Sequence, residues 1–104
     1  MKHARLLVSD AAAADILEQA NWYSVQSGKA LAQRWEKAVA SSVLRIVNRP
    51  RIGTLCTFKS VELQDVRRIT IPGFPKHLLF YRFRGGEVLI LRVVHGARDL
   101  ERLL

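Results

Sequence analysis

Residues 77–95 read HLLFYRFRGGEVLILRVVH, and this stretch decides the fold. Gly85-Gly86 separates two runs rich in β-branched and aromatic residues, and paired glycines supply the positive φ angles that a two-residue hairpin turn needs. The stretch therefore predicts a strand from His77 to Arg84, a tight turn, and a strand from Glu87 to His95. With Arg84 facing Glu87, pairing outward puts Leu78, Phe80, Leu89, Leu91 and Val93 on one face. Leu79, Tyr81, Phe83, Val88, Ile90 and Val94 fall on the other. Both faces are apolar and either could take a layer of helices. The remaining face then needs cover from a loop, from the C-terminal residues or, the reading preferred here, from another chain.

Upstream of the hairpin, Val66 to Ile71 alternates as a strand and is closed by Pro72-Gly73-Phe74-Pro75. Pro50 to Asp65 reads as a loop with a turn at Gly53 and a short extended piece. Further back the period changes to that of helices. Leu31, Trp35, Val39, Val43 and Ile46 recur every three or four residues, which predicts an amphipathic helix from Lys29 to Val47, ended by Asn48-Arg49-Pro50. Ser27-Gly28 links it to a first helix, Asp10 to about Gln26, with Ser9 as its cap and Ile16, Ala20 and Tyr23 on one side. His3 to Val8 reads as an opening strand. The order is β-α-α-β-β-β, an α+β fold in which a helical hairpin packs on a small antiparallel sheet.

At 104 residues, 49% of them apolar, the chain has the size of one domain, residues 1–104, with material for a packed core. Seventeen Lys and Arg against nine Asp and Glu give a net charge of +8, which points to an anionic partner, either nucleic acid or an acidic protein. The apolar run Leu6 to Val8 is too short for a signal peptide or a membrane span, which predicts a cytoplasmic protein. Cys56 stands alone, and His3, His77 and His95 are scattered without metal-ligand spacing, so no metal or other cofactor is expected. No phosphate loop and no HExxH helix is present. The arginines are the suggestive feature. Arg67 and Arg68 lie on the first strand after the helices, Arg82, Arg84 and Arg92 on the hairpin, and Arg98 and Arg102 after it. Such a surface can grip phosphate or receive an acidic helix.

The C-terminal half also carries a family pattern. Arg67-Arg68-Ile69-Thr70-Ile71-Pro72-Gly73-Phe74, then Leu79-Phe80-Tyr81-Arg82, then Val88 to Asp99 with its core Ile90-Leu91-Arg92-Val93-Val94-His95-Gly96-Ala97-Arg98-Asp99, resembles ParE-type toxins of the RelE/ParE superfamily. Asp15-Ile16, and Asn48-Arg49-Pro50 followed by Gly53, extend the resemblance over nearly the whole chain. It implies a toxin of a type II toxin–antitoxin system, neutralised by a cognate antitoxin whose C-terminal segment wraps it. Operator DNA would be contacted only indirectly, through the antitoxin. On this reading Leu78, Phe80, Leu89, Leu91 and Val93 are the expected antitoxin-binding residues.

The superfamily offers two activities. ParE-type members are associated with poisoning DNA gyrase, and Arg67, Arg68, Arg98 and Arg102 are the expected target-binding residues. RelE-type members cut mRNA on the ribosome with basic sheet residues and, in many, a C-terminal tyrosine. Here Arg68 and Arg98 match two of those positions and would be catalytic in that case, with His77 or His95 moving protons. Thr70 and Leu78 replace two basic positions, and the chain reads Leu103-Leu104 where the tyrosine would stand, while Tyr81 and Tyr23 read as core. These departures favour the gyrase branch over the endonuclease. A non-toxic nucleic-acid-binding domain is the third reading, weakened by the lack of a helix-turn-helix or an aromatic-basic strand motif.

Overall fold

The computed structural model describes residues 4–96 and 100–104. The elements are β1 (Arg5–Val8), α1 (Asp10–Ser27), α2 (Lys29–Asn48), β2 (Thr54–Leu55), β3 (Val66–Ile71), β4 (Phe74–Arg84) and β5 (Glu87–His95), with 3-10 turns at Val61–Leu63 and Leu100–Leu103.

Local chemistry sets the helix ends. The Ser9 hydroxyl accepts the Ala12 N–H at 3.0 Å and donates to the Leu91 carbonyl at 2.8 Å, so one side chain caps α1 and ties it to β5. Gly28, at φ 92, closes α1 and opens α2, and its left-handed backbone lets the chain reverse within one residue. The buried face of α2 is Ala32, Trp35, Val39, Ser42 and Ile46, turned slightly from the expected stripe, with Leu31 and Val43 only half-buried. Ser42 sits in this core because its hydroxyl donates back to the Ala38 carbonyl at 2.8 Å. Trp35 fills the space between helices and sheet, and its indole N–H donates to the Ile16 carbonyl at 3.1 Å.

The helices pack on a five-stranded sheet of order β1-β5-β4-β3-β2. The α+β class holds, but the sheet is mixed rather than wholly antiparallel, because β1 runs parallel to β5, from Arg5↔Glu87 to Val8↔Ile90. Parallel neighbours need a long crossover, and the helical hairpin with three further strands provides it. The Gly85-Gly86 turn and the Arg84↔Glu87 pair are as the sequence predicts. The first strand of that hairpin, β4, starts earlier than His77, at Phe74, since the turn before it needs only Pro72 and Gly73, the latter at φ 83.

Two other expectations are corrected. The β4–β5 register shifts between Phe80 and Tyr81, so that Phe80 faces Arg92, Tyr81 faces Ile90, and Leu91 is the extra residue of a bulge. Beyond it the parity of β5 reverses. Val93 joins Leu79, Tyr81, Val88 and Ile90 against the helices, and Val94 moves to the far face with Leu78, Phe80 and Leu91. The far face is also covered in part by the chain itself. Cys56, Phe58, Leu63 and Leu104 pack over Val66 and Phe80 as a second, smaller core. The Glu101 carboxylate fastens this cover by accepting the N–H groups of Lys59 and Ser60 at 3.1 and 2.8 Å.

Candidate functional site: the sheet arginines and the β1 groove

The arginines differ sharply in how far their charge is spent within the chain. Arg92 makes a bidentate pair with Asp15 of α1, at 2.7 Å from Nε and 2.8 Å from Nη2, and donates to the Leu103 carbonyl at 3.1 Å. Asp15 also accepts the Val93 N–H at 3.0 Å, on the stretch of β5 that β1 is too short to pair. Burial is nearly complete on the acid side and substantial on the other (10% and 24% exposed), so this is a clamp between α1 and β5 rather than a docking group. Arg82 and Arg84 share Asp65, whose carboxyl is held below its ordinary value first by the Arg84 hydrogen bond. Arg82 further donates to the Glu62 carbonyl at 2.6 Å.

Arg67 points to the helix side and donates to the carbonyls of Gly53 and Arg51 at 2.8 and 3.3 Å. It thus braces the loop after α2. Tyr81, wholly buried, holds the same loop: its hydroxyl accepts the Gly53 N–H and donates to the Pro50 carbonyl, both at 2.8 Å. Burial raises the Tyr81 phenol, opposed by the Gly53 hydrogen bond and by Arg67. Gly53 is required by close approach, because a Cβ there would lie 2.7 Å from the Tyr81 hydroxyl and 2.9 Å from the Arg68 carbonyl.

Arg68 is different. It alternates with Val66 onto the far face, is exposed, and makes no side-chain hydrogen bond or ion pair among the described residues. It lines a cavity of about 270 Å³ together with Arg45 of α2, Ile52, Thr54, Thr70 and Leu78. Beside it, burial pushes the Cys56 thiol up, with Arg68 opposing. Sequence reading missed Arg45, which lies on a helix far from the strand in sequence. Arg102 is exposed. Arg98 lies outside the described residues.

The histidines take the other side of the sheet. His77 is buried against Trp35, with ring centroids 4.8 Å apart, and faces His95 across the β4–β5 ladder at 5.5 Å. Burial, then the neighbouring His95, pulls the His77 imidazole below its ordinary value. Among the described residues no three His, Cys, Asp or Glu side chains converge as metal ligands, and no helix is long and apolar enough to cross a membrane.

Of the five apolar residues expected to receive a partner, Phe80 and Val93 are buried in the two cores, while Leu78, Leu89 and Leu91 keep partial exposure. The more open apolar surface is elsewhere. A groove of about 560 Å³ runs between β1 and α2, lined by Leu6, Ile16, Val39, Val43, Leu44 and Val47. All four β1 side chains are exposed, including Leu6, Leu7 and Val8. Arg5 and Ser9 donate inward to Gly86 and Ile90, so the alternation of the strand turns the N–H and C=O groups of Leu6 and Val8 outward along a free edge.

A family model described as ParE toxin of type II toxin–antitoxin system, parDE, matches residues 6–100. No curated protein matches the chain. Among solved structures, a chain of the chromosomal ParDE toxin–antitoxin system from P. aeruginosa is similar, with a TM-score of 0.73 and 22% identity over 88% of this chain and 95% of that one. At that identity the likeness is one of fold.

Proposed function

The chain belongs to the ParE toxin family of type II toxin–antitoxin systems, and from this premise we propose that it inhibits DNA gyrase by binding, without cutting nucleic acid, and is neutralised by a cognate antitoxin. The observation that carries this is the division of groups between the sheet faces. Cleaving RNA needs a proton acceptor and donor beside the group that stabilises the phosphate. Arg68 is on the far face, while His77 and His95 are on the helix side, with the wholly buried Tyr81 between helices and sheet. A guanidinium unpaired among the described residues, in a cavity lined by no histidine, tyrosine or carboxylate, suits a contact surface. Arg68 and Arg102, with Arg98, form the target-binding set of this reading, Arg67 of the expected set being committed to the loop after α2, and gyrase as target puts its action in the cytoplasm.

The antitoxin fits the groove at β1. An extended segment can add to the free edge of β1 and lay apolar side chains between Leu6 and Val43, the mode in which main-chain hydrogen bonds give affinity and pockets give specificity. Leu78, Leu89 and Leu91 are then available to a segment that continues over the far face.

The test is a supercoiling assay with purified gyrase and the full chain, paired with RNA mapping in cells induced for the chain alone or with the neighbouring reading frame. Loss of supercoiling, intact mRNA and rescue by the neighbour are expected. Ribosome-dependent mRNA cuts with unimpaired gyrase would overturn the proposal in favour of an endonuclease.

A further inference from the structure

The β4–β5 ladder closes on a pair of histidines at the end away from its turn. A straight ladder from Arg84↔Glu87 would set His77 against Val94. The extra residue at Leu91 moves β5 by one place, and His77 faces His95 instead. The Gly96 N–H donates to the Lys76 carbonyl at 2.8 Å, so 77 and 95 are a pair that exchanges no main-chain hydrogen bonds of its own. Such pairs bring their Cα atoms to about 4.5 Å, closer than the hydrogen-bonded kind, with both side chains on one face. The two imidazole centroids are 5.5 Å apart.

His77 is held in place by rings around it, Trp35 at 4.8 Å and Tyr23 and Phe74 at 6.4 Å each. Its side chain makes no hydrogen bond among the described residues. No buried side-chain nitrogen or oxygen among them lacks a partner, so the His77 ring nitrogens meet open space rather than the core. That space is a cavity of about 490 Å³, which His95 lines as well, with Gln19, Trp22, Tyr23 and Pro75 around it. His95 is exposed, and no hydrogen bond or ion pair among the described residues commits its ring, which can turn about its Cβ–Cγ bond.

Paired imidazoles are ligands for zinc-class ions. Two of them bound to one tetrahedral ion at about 2.0–2.1 Å keep their ring centres roughly 5 Å apart, close to the spacing in this pair. With one nitrogen bound, the second is already beside the ion, so its bond forms without a separate encounter. Lys76 at the rim opposes a cation, and Glu18, which lines the adjoining cavity together with His95, offsets that charge. No third His, Cys, Asp or Glu converges on the pair among the described residues, so water completes the shell.

We propose that His77 and His95 form a two-histidine zinc site that clips the open end of the β4–β5 hairpin. The site is structural and does no chemistry. It stands whether or not gyrase is the target, because it rests on the ladder and its cavity alone.

The test titrates Zn²⁺ into the full chain, free of any affinity tag and isotope-labelled at its histidine nitrogens. Calorimetry should find one ion per chain, and the thermal midpoint should rise with zinc. By NMR the ring nitrogens of His77 and His95 should shift together, and those of His3 should not. His95→Gln changes an exposed side chain and should weaken binding at least about tenfold, removing the rise in midpoint. His77→Gln should do the same if circular dichroism shows it folded, and His3→Gln should leave binding unchanged. No binding at millimolar zinc would overturn the site. So would undiminished affinity in His95→Gln, or shifts at His3 in place of either paired ring.

Discussion

Replacing Tyr81 by phenylalanine removes one oxygen atom and should cost far more than a surface change. That oxygen satisfies two main-chain groups at once, the Gly53 N–H and the Pro50 carbonyl, at 2.8 Å each. Gly53 is buried, so its N–H would be left without a partner, at about 1–3 kcal/mol. Pro50 is half-buried and its carbonyl can turn to water, which limits that loss to about 0.5–1 kcal/mol. Together these come to roughly 2–4 kcal/mol, a large part of the ~5–15 kcal/mol of a typical domain. At about 4–8 °C per kcal/mol for a chain of this size, the midpoint of thermal unfolding should fall by roughly 8–30 °C. Thermal and urea unfolding followed by circular dichroism measure it. A shift under about 3 °C, with an unchanged denaturant slope, would mean that water replaces the hydroxyl and that Tyr81 is not what fixes this loop.

The Asp15–Arg92 clamp should show in a double-mutant cycle: Asp15→Ala is expected to cost about 1.5–3 kcal/mol, with a coupling to Arg92→Ala above ~1 kcal/mol, and independent effects would remove the clamp from the account. His77 should make stability pH-dependent. Its folded value is pulled below the ordinary ~6.5, so the unfolded chain takes up the proton first, and stability, full above that pH, is lost as pH falls through the folded value. The groups facing it are His95 on β5, Tyr23 on α1, Trp35 on α2 and Phe74 on β4. Midpoints measured from pH 8 to 5 should flatten in His77→Phe, and an unchanged slope would assign the effect elsewhere. Leu44 is 60% exposed on the groove, so Leu44→Glu should leave the thermal midpoint within a few degrees, a change of about ±0.5 kcal/mol, yet weaken antitoxin binding at least tenfold by calorimetry.

Much of this architecture is written in local chemistry. Ser9 caps because its hydroxyl can reach two residues' main-chain groups, Gly28 and the Gly85-Gly86 pair sit where φ must be positive, and α2 carries its core in its period. What escapes a reading of the chain is whatever depends on pairing at a distance. The bulge at Phe80 and Tyr81 lies opposite a run of uniformly apolar residues, Leu89 to Leu91, with no glycine or polar side chain to mark it, so the far-face membership of Val94 could not be read. The partners of Arg92 and Arg82 stand 77 and 17 residues away, so neutralised and open arginines look alike in the sequence. Arg45 reads as one more cation on a helix until the fold brings it to the cavity that Arg68 also lines.

The partnership of β1 with β5 joins the first of the five strands to the fifth, across most of the chain. Until β5 emerges, the β1 side of the groove has α2 beside it but no ladder to hold it in register, and contacts so distant in sequence close slowly because the loop entropy is spent before they form. The helical hairpin and the β3–β4 pair can assemble earlier from neighbouring residues. A nascent chain would therefore pass through a stage in which its hairpins exist but the β1 edge does not. On the proposal that the antitoxin takes this edge, its recognition of the chain waits on a completed sheet, and a partly made chain escapes capture.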